Sequence, residues 1–282
     1  MREPDYASVN GRITRSGETP VCLLMPALLD SFGVYESARV EHGVAFHLED
    51  HLQRLKNSAA LLEMPLPAPP ATIRSWVQAL LARSDRTHCL LRLVVLGPTP
   101  GDGPTCTIWM QDPPSRGPDL YQHGVEMIAL EGRRYLPQVK SLNTLLNYLG
   151  RREASRRGVH EALLHHDDLV TEGASSNFFI VQDGALATAP EELVLPGVTR
   201  ALALRLARET GIPTTERRLH FSERGDWDEA FITSTSRKVL PVTSIDGQAV
   251  GDGLVGPVTG ELMAVFGAYD RQYLSSHSSS QG

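Results

Sequence analysis

Three stretches of this sequence carry side chains whose types and spacing suit chemistry. The first is Gly33-Val-Tyr35-Glu-Ser-Ala-Arg39-Val, with His51-Leu-Gln-Arg54-Leu after it. The second is Val139-Lys140-Ser-Leu-Asn143, then Thr171-Glu172-Gly173-Ala-Ser-Ser-Asn177. The third is Leu195-Pro-Gly197-Val198-Thr199-Arg200, then Phe231-Ile-Thr-Ser234-Thr235-Ser236. Lys140 stands between Val139 and a leucine-rich run that starts at Leu142. Desolvation favours a neutral amine, the form that attacks a carbonyl or takes a proton. Gly197 frees the backbone to turn and Thr199 opens a helix, so the N–H groups of Val198 and Thr199 suit a dianion. Ser234 and Thr235 add hydroxyl donors. Each residue also has an ordinary reading. A lysine at a helix start is commonly solvated, and threonines cap helices. Glu172 reads as an exposed strand-end acid. Arg54 lies off the Leu52, Leu55, Leu62 stripe, on what would be a solvated helix face.

Other motifs fail on context. Gly251-Asp-Gly253-Leu-Val-Gly256 has the glycine spacing of a dinucleotide loop, but only one helix and a short tail follow it. That leaves no room for the second strand of a βαβ unit, so the string reads as a turn. No phosphate-binding G-x-x-x-x-G-K-[ST] string occurs. His165-His166-Asp167-Asp168 resembles a metal cluster, yet neighbouring strand residues point to opposite faces. A polar strand end and turn is expected there, with no metal. No serine sits in a G-x-S-x-G elbow.

The elements that must position these residues read as follows. Val40 to Phe46 is a hairpin around Glu41-His42-Gly43. Glu49 and Asp50 open a helix carrying Leu52, Leu55, Ala59 and Leu62, stopped by Pro65, Pro67, Pro69 and Pro70. A helix near Ile73–Ala82, a strand over Cys89–Leu96 and another around Thr105–Met110 follow. The Pro113–Pro118 stretch reads as a linker, dividing the chain into residues 1–118 and 119–282. Beyond it come a strand at Val125–Leu130 and a helix at Ser141–Arg157 stopped by Gly158. A meander then turns at Asp167-Asp168 and Asp183-Gly184. A helix at Thr199–Thr210, strands at Glu229–Thr233 and Val239–Ile245, a helix at Gly260–Arg271 and a frayed polar tail from Ser275 complete the chain. Strand runs beside helices, without strict alternation, indicate an α+β fold.

Composition agrees with a folded enzyme-sized chain. Its 282 residues are 41% hydrophobic and 21% charged, with a formal charge of −6. That excludes wholesale disorder and disfavours non-specific binding to nucleic acid or anionic membrane. No apolar run reaches the roughly 20 residues a membrane span needs, and no secretory signal is expected at the start. Cys22, Cys89 and Cys106 are too few and too scattered for a disulfide framework or a zinc site, which fits a cytoplasmic protein.

In order and spacing, the three stretches together resemble the class IV aminotransferases, the fold-type IV pyridoxal-phosphate enzymes. Within that group Lys140-Ser-Leu-Asn143, His160-Glu-Ala-Leu and Thr171-Glu172-Gly-Ala-Ser-Ser-Asn177 look most like the D-amino-acid aminotransferases. The resemblance runs from about Gly33 to Phe266. It implies a two-domain α+β fold: a small N-terminal domain and a larger C-terminal one with a β-meander or barrel core. It implies pyridoxal 5'-phosphate as cofactor, joined to Lys140, which also moves the substrate proton. Glu172 would face the pyridine nitrogen. Val198, Thr199, Ser234, Thr235 and Arg54 would surround the phosphate end, and Arg133 and Leu195 would be among the cofactor-binding residues. Tyr35 would help hold a substrate carboxylate.

The pattern departs from the D-amino-acid enzymes in one place. They carry an arginine and a histidine on a loop that here reads Pro98-Thr-Pro100-Gly-Asp102-Gly103-Pro104, without a cation. Arg39 and Arg92 are the nearest replacements. The expected reaction moves an amino group between an amino acid, a D-amino acid for preference, and a 2-oxo acid. The resemblance further implies a homodimer whose neighbouring subunit completes the substrate pocket. Branched-chain aminotransferases and 4-amino-4-deoxychorismate lyases share the same lysine, glutamate and phosphate residues and remain alternatives. The former usually carry a tyrosine where this chain has Leu145.

Overall fold

The structure is a computed structural model and describes residues 6–15, 26–98, 103–114 and 117–278. The opening five residues, Cys22, residues 99–102 of the cation-less loop, 115–116 of the linker and 279–282 of the tail lie outside the described residues. The chain divides into two compact units: Met1–Pro114 with Val139–Asn143 and Gln272–Gly282, and Ser115–Gln138 with Thr144–Arg271.

The first unit is built on an antiparallel sheet. Its strands are β1 (Tyr6–Val9), β2 (Arg12–Arg15), β3 (Gly33–Glu41), β4 (Val44–Ala45), β5 (Cys89–Leu96) and β6 (Thr105–Gln111), in the order β2-β1-β6-β5-β3-β4. Besides the short α1 (Pro26–Leu29), the unit has α2 (Leu48–Leu61), packed on β3, and α3 (Pro70–Ala82), packed on β1 and α2. The apolar spacing of α2 buries Leu52, Leu55 and Ala59, while α3 buries Ile73, Val77 and Leu80. These meet Val34, Ala38 and Val40, which alternate along one face of β3.

The free length of β3's outer edge is taken by a distant segment. Tyr35 N–H donates to the Lys140 carbonyl at 2.9 Å, and Leu142 N–H to the Gly33 carbonyl at 3.0 Å. This overturns the expected helix over Ser141–Arg157. The backbone groups around residues 140–142 are committed to a strand edge, so helix α5 begins only at Leu145 and runs to Arg157. Its leucine face is not a core face either. Leu145 is 65% exposed, and α5 instead buries Gly150 and Ala154 against the strand Glu161–His166. Gly158 ends it in the left-handed conformation, as expected.

The second unit holds a closed six-stranded barrel. Its staves are β7 (Val125–Glu131), β8 (Glu161–His166), β9 (Leu169–Gly173), β10 (Ser176–Gln182), β14 (Glu229–Ser234) and β15 (Lys238–Ile245). The pairings run β10-β14-β15-β7-β8-β9 and back to β10. Closure leaves no exposed edge on these strands. Four short strands extend this sheet: β11 (Ala185–Thr188), β12 (Thr214–Glu216), β13 (Leu219–His220) and β16 (Gln248–Ala249). Phe178, Ile180, Leu163, Met127, Trp227 and Leu240 fill one apolar cluster. The β8–β9 hairpin turns at Asp167 and Asp168, φ 48° and 66°, the left-handed pair that a tight two-residue turn requires. Helices α4 (Asp119–His123) and α6 (Val198–Glu209) pack on β15 and β14 respectively. Helix α7 (Pro257–Ser278) continues into the stretch read as a frayed tail. The glycine string 251–256 is the turn before α7, with no βαβ unit around it.

Candidate active site

In the first unit, the strand-edge pairing places Lys140. Its N–H donates to Ser58 Oγ on α2 at 3.1 Å, and Nζ lies 4.6 Å from the centre of the Tyr35 ring. Lys140 is half-buried in extended backbone, not at a helix start. The Arg92 guanidinium lies 5.8 Å from the same ring. Tyr35, Arg92 and Lys140 are thus brought together. Arg39 is engaged elsewhere, with Glu41 at 2.6 Å and over the Phe46 ring at 4.3 Å.

Arg54 is not on a solvated face. It is buried, with Nε and Nη2 on the two oxygens of Glu36 at 2.7 and 2.8 Å. His51 Nδ1 lies 2.8 Å from Glu36 Oε2. Burial pushes the Glu36 carboxyl up, but Arg54 and then His51 outweigh it and hold it well below the usual carboxylate range. Burial pushes the imidazole of His51 down, against the pull of Glu36. Facing a carboxylate, which only accepts, Nδ1 is the donor. The sequence held a signal for Glu36. It sits at the same alternation as Val34, Ala38 and Val40, so a carboxylate falls on the apolar face of β3 and must find a cation there.

In the second unit, Glu172 is 4% exposed at the end of β9. Arg134 Nη1 donates to Oε1 at 3.0 Å, and the Leu195 N–H to Oε2 at 3.1 Å. Arg133, named from the sequence, is exposed; its neighbour Arg134 is the residue that meets Glu172. Two adjacent arginines offered no way to choose between them without the chain's path. Asn177 Nδ2 donates to the Leu195 carbonyl at 2.8 Å, so Leu195 is held from both sides. Gly197 is the N-cap of α6 and makes no side-chain bond to the first-turn N–H groups of Val198 and Thr199. Ser234 ends β14, on which α6 packs, and Thr235 follows it half-buried.

His165 and His166 do not diverge as alternation along a strand suggested; both rings reach the one carboxylate of Glu131, with Nδ1 at 3.1 and 2.7 Å. No metal-holding group occurs among the described residues.

The family model described as class IV amino-transferase matches residues 33–245. This chain belongs to the class IV aminotransferases. It is 36% identical over 259 residues to a D-alanine aminotransferase of Bacillus licheniformis, covering 89% of this chain and 92% of that protein. A putative branched-chain-amino-acid aminotransferase of Methanocaldococcus jannaschii is 34% identical over 274 residues, covering 92% and 94%. The crystal structure of the Escherichia coli branched-chain amino acid aminotransferase superposes with a TM-score of 0.88 at 28% identity, covering 94% of each chain. The T.th. branched-chain amino acid aminotransferase, solved with pyridoxamine 5'-phosphate, gives 0.88 at 26% identity and the same coverage. The chain is therefore a transaminase of a pyridoxal-phosphate-dependent family, and its two-unit α+β architecture is that of fold type IV.

The residues present fit such a cofactor. Ser234 Oγ is buried with no hydrogen-bond partner among the described residues, which an incoming phosphate oxygen would supply. The first-turn N–H groups of α6 suit the same dianion. Among the described residues, no helix is long and apolar enough to cross a membrane.

Proposed function

We propose that this aminotransferase acts on D-amino acids, with pyridoxal 5'-phosphate bound through Lys140, as a cytoplasmic homodimer. The observation that supports it best is the Lys140–Tyr35–Arg92 group beside the likeness to the Bacillus licheniformis enzyme. When bound, the cofactor supplies an aldehyde for amine capture and a protonated ring that accepts the electron pair of the Cα–H bond. Lys140 would hold it covalently, and as a free amine its Nζ would take the Cα proton and give it back on the cofactor side. Glu172, its two oxygens oriented by Arg134 and the Leu195 N–H, keeps the proton on the pyridine nitrogen. Val198 and Thr199 N–H, the Ser234 and Thr235 hydroxyls, and Arg54 hold the phosphate. Glu36 fixes the plane of the Arg54 guanidinium. Arg92 and the Tyr35 hydroxyl take the substrate carboxylate, in place of the cations absent from the loop after β5. Arg39, spent on Glu41 and Phe46, contributes packing.

The likeness to branched-chain enzymes supports L-leucine-type donors as the second reading. Purified protein loaded with cofactor separates the two. Bleaching of its visible absorbance by D-alanine or D-glutamate, but not L-leucine, is the expected result. Bleaching by L-leucine alone would overturn the D-specific reading. Light scattering should give twice the chain mass of 30.9 kDa.

A further inference from the structure

The second unit contains a buried ion pair that the chemistry above does not use. Glu161, at the start of β8, is completely buried. Its carboxylate accepts from Arg237 Nη1 at 2.5 Å, Ser175 Oγ at 2.7 Å, Ser176 Oγ at 2.9 Å and the Ser175 N–H. Arg237 Nη2 donates to Ser175 Oγ at 2.8 Å. Two loops are joined through this pair. One is the β9–β10 turn, Ala174-Ser175, flanked by Glu172 on β9 and by Ser176 and Asn177 on β10. The other is the β14–β15 turn, which follows Ser234 at the end of β14 and carries Thr235.

Arg237 is itself pinned at three points. Its N–H donates to the Ser234 carbonyl at 3.1 Å, its own carbonyl accepts from Tyr121 Oη at 3.1 Å, and its guanidinium is held as above. The next residue, Lys238, has φ 59°, a left-handed conformation that costs energy for a lysine. Its Nζ is anchored on buried Asp270 at 2.6 Å. On the other side, the network reaches Glu172 in three steps. Ser176 leads directly to Asn177, Asn177 to the Leu195 carbonyl, and the Leu195 N–H to Glu172. A Cβ at Gly173 would collide with Ser176 Oγ, and one at Gly197 with Asn177 Oδ1. The network thus has no slack where it meets either segment.

Stability does not require such a pair. Well-packed apolar residues commonly replace a buried ion pair without loss, whereas directional polar contacts fix register in several known systems. We propose that Arg237, seated on Glu161, is a positioning residue: it clamps the two turns so that Glu172 and the hydroxyls at 234 and 235 are presented to pyridoxal phosphate together. This rests on the cofactor reading above.

The test uses the full chain stripped of cofactor and titrated with pyridoxal 5'-phosphate. In the double variant Glu161→Met with Arg237→Leu, the melting temperature of the cofactor-free protein should stay close to the parent's. The cofactor dissociation constant should rise about tenfold or more, as expected for groups displaced by a fraction of an ångström. Arg237→Lys should restore part of that affinity, having a charge but no fork. An unchanged dissociation constant in the double variant overturns the proposal. Should that variant fail to fold, Glu161→Gln decides, since it keeps the volume and weakens the charge-assisted bonds; parent-like affinity there overturns the proposal equally. If the parent itself binds no cofactor and borohydride fixes none to Lys140, it is the cofactor reading that fails, not the clamp.

Discussion

The buried Glu36–Arg54 pair makes the sharpest prediction about stability. Arg54→Met removes both cationic donors from Glu36 and leaves a carboxylate at zero exposure, with His51 and the Ser37 N–H beside it among the described residues. Breaking a buried pair on one side costs about 3–5 kcal/mol, because the remaining charge is uncompensated. For a chain of this size that lowers the melting temperature by roughly 6–20 °C. Glu36→Gln with Arg54→Met removes the orphaned charge. Its amide oxygen still accepts from Ser37 and His51, so most of the loss should be recovered. The pH dependence has a definite sign. Folding holds the Glu36 carboxyl below its ordinary value of 4.5, so its stabilisation is complete above that pH and is lost as the pH falls toward the folded value. Calorimetry of the parent, the single and the double variant from pH 7 down to about pH 2 checks both points, the pH-dependent loss in the parent falling below 4.5. A double variant no more stable than Arg54→Met would refute the argument that an unpaired charge causes the loss. Cofactor affinity separates the second role of Arg54: it should stay weak in both variants, since neither offers the phosphate a guanidinium.

Three further outcomes follow from the same geometry. Lys140→Ala should lower transamination by about 10²–10⁴-fold, measured as 2-oxo acid formation, with loss of borohydride-fixed cofactor in the intact-mass spectrum. Gly197→Ala is compatible with the backbone, φ being −68°, but its Cβ displaces the Asn177 amide and orphans the Leu195 carbonyl. A loss of about 1–3 kcal/mol should appear in cofactor binding, read by titration. Burial pushes the Cys89 and Cys106 thiols up to about 11 and about 12. In a Cys22→Ser background, the native protein should therefore show no fast reaction with an aromatic disulfide reagent at pH 8, and should react only on unfolding.

Lys140, Glu172 and the Gly197-Val198-Thr199 helix start are local strings, so the roles proposed for them were legible before the fold was known. The short elements were legible for the same reason. Apolar spacing, prolines and aspartate or glycine turns act over a few residues, so α2, α3, β5 and the Asp167-Asp168 hairpin follow from neighbours along the chain.

What only the tertiary structure decided depends on residues far apart in sequence. Residues 140–142 have leucines at helical spacing, but the edge of β3 offers them backbone partners first, so α5 starts late and Lys140 lies extended. Arg134, rather than Arg133, meets Glu172 because the chain's path after β7 turns that side chain inward. Arg54 finds a carboxylate from β3, which turns an apparently solvated position into a buried ion pair. The barrel's closure pairs Val242 with Val125, 117 positions apart, and the Glu161–Arg237 bond joins residues 76 positions apart. Such pairings are fixed by the low dielectric and close packing of the folded interior, where each buried charge must be matched by whichever group the fold brings to it.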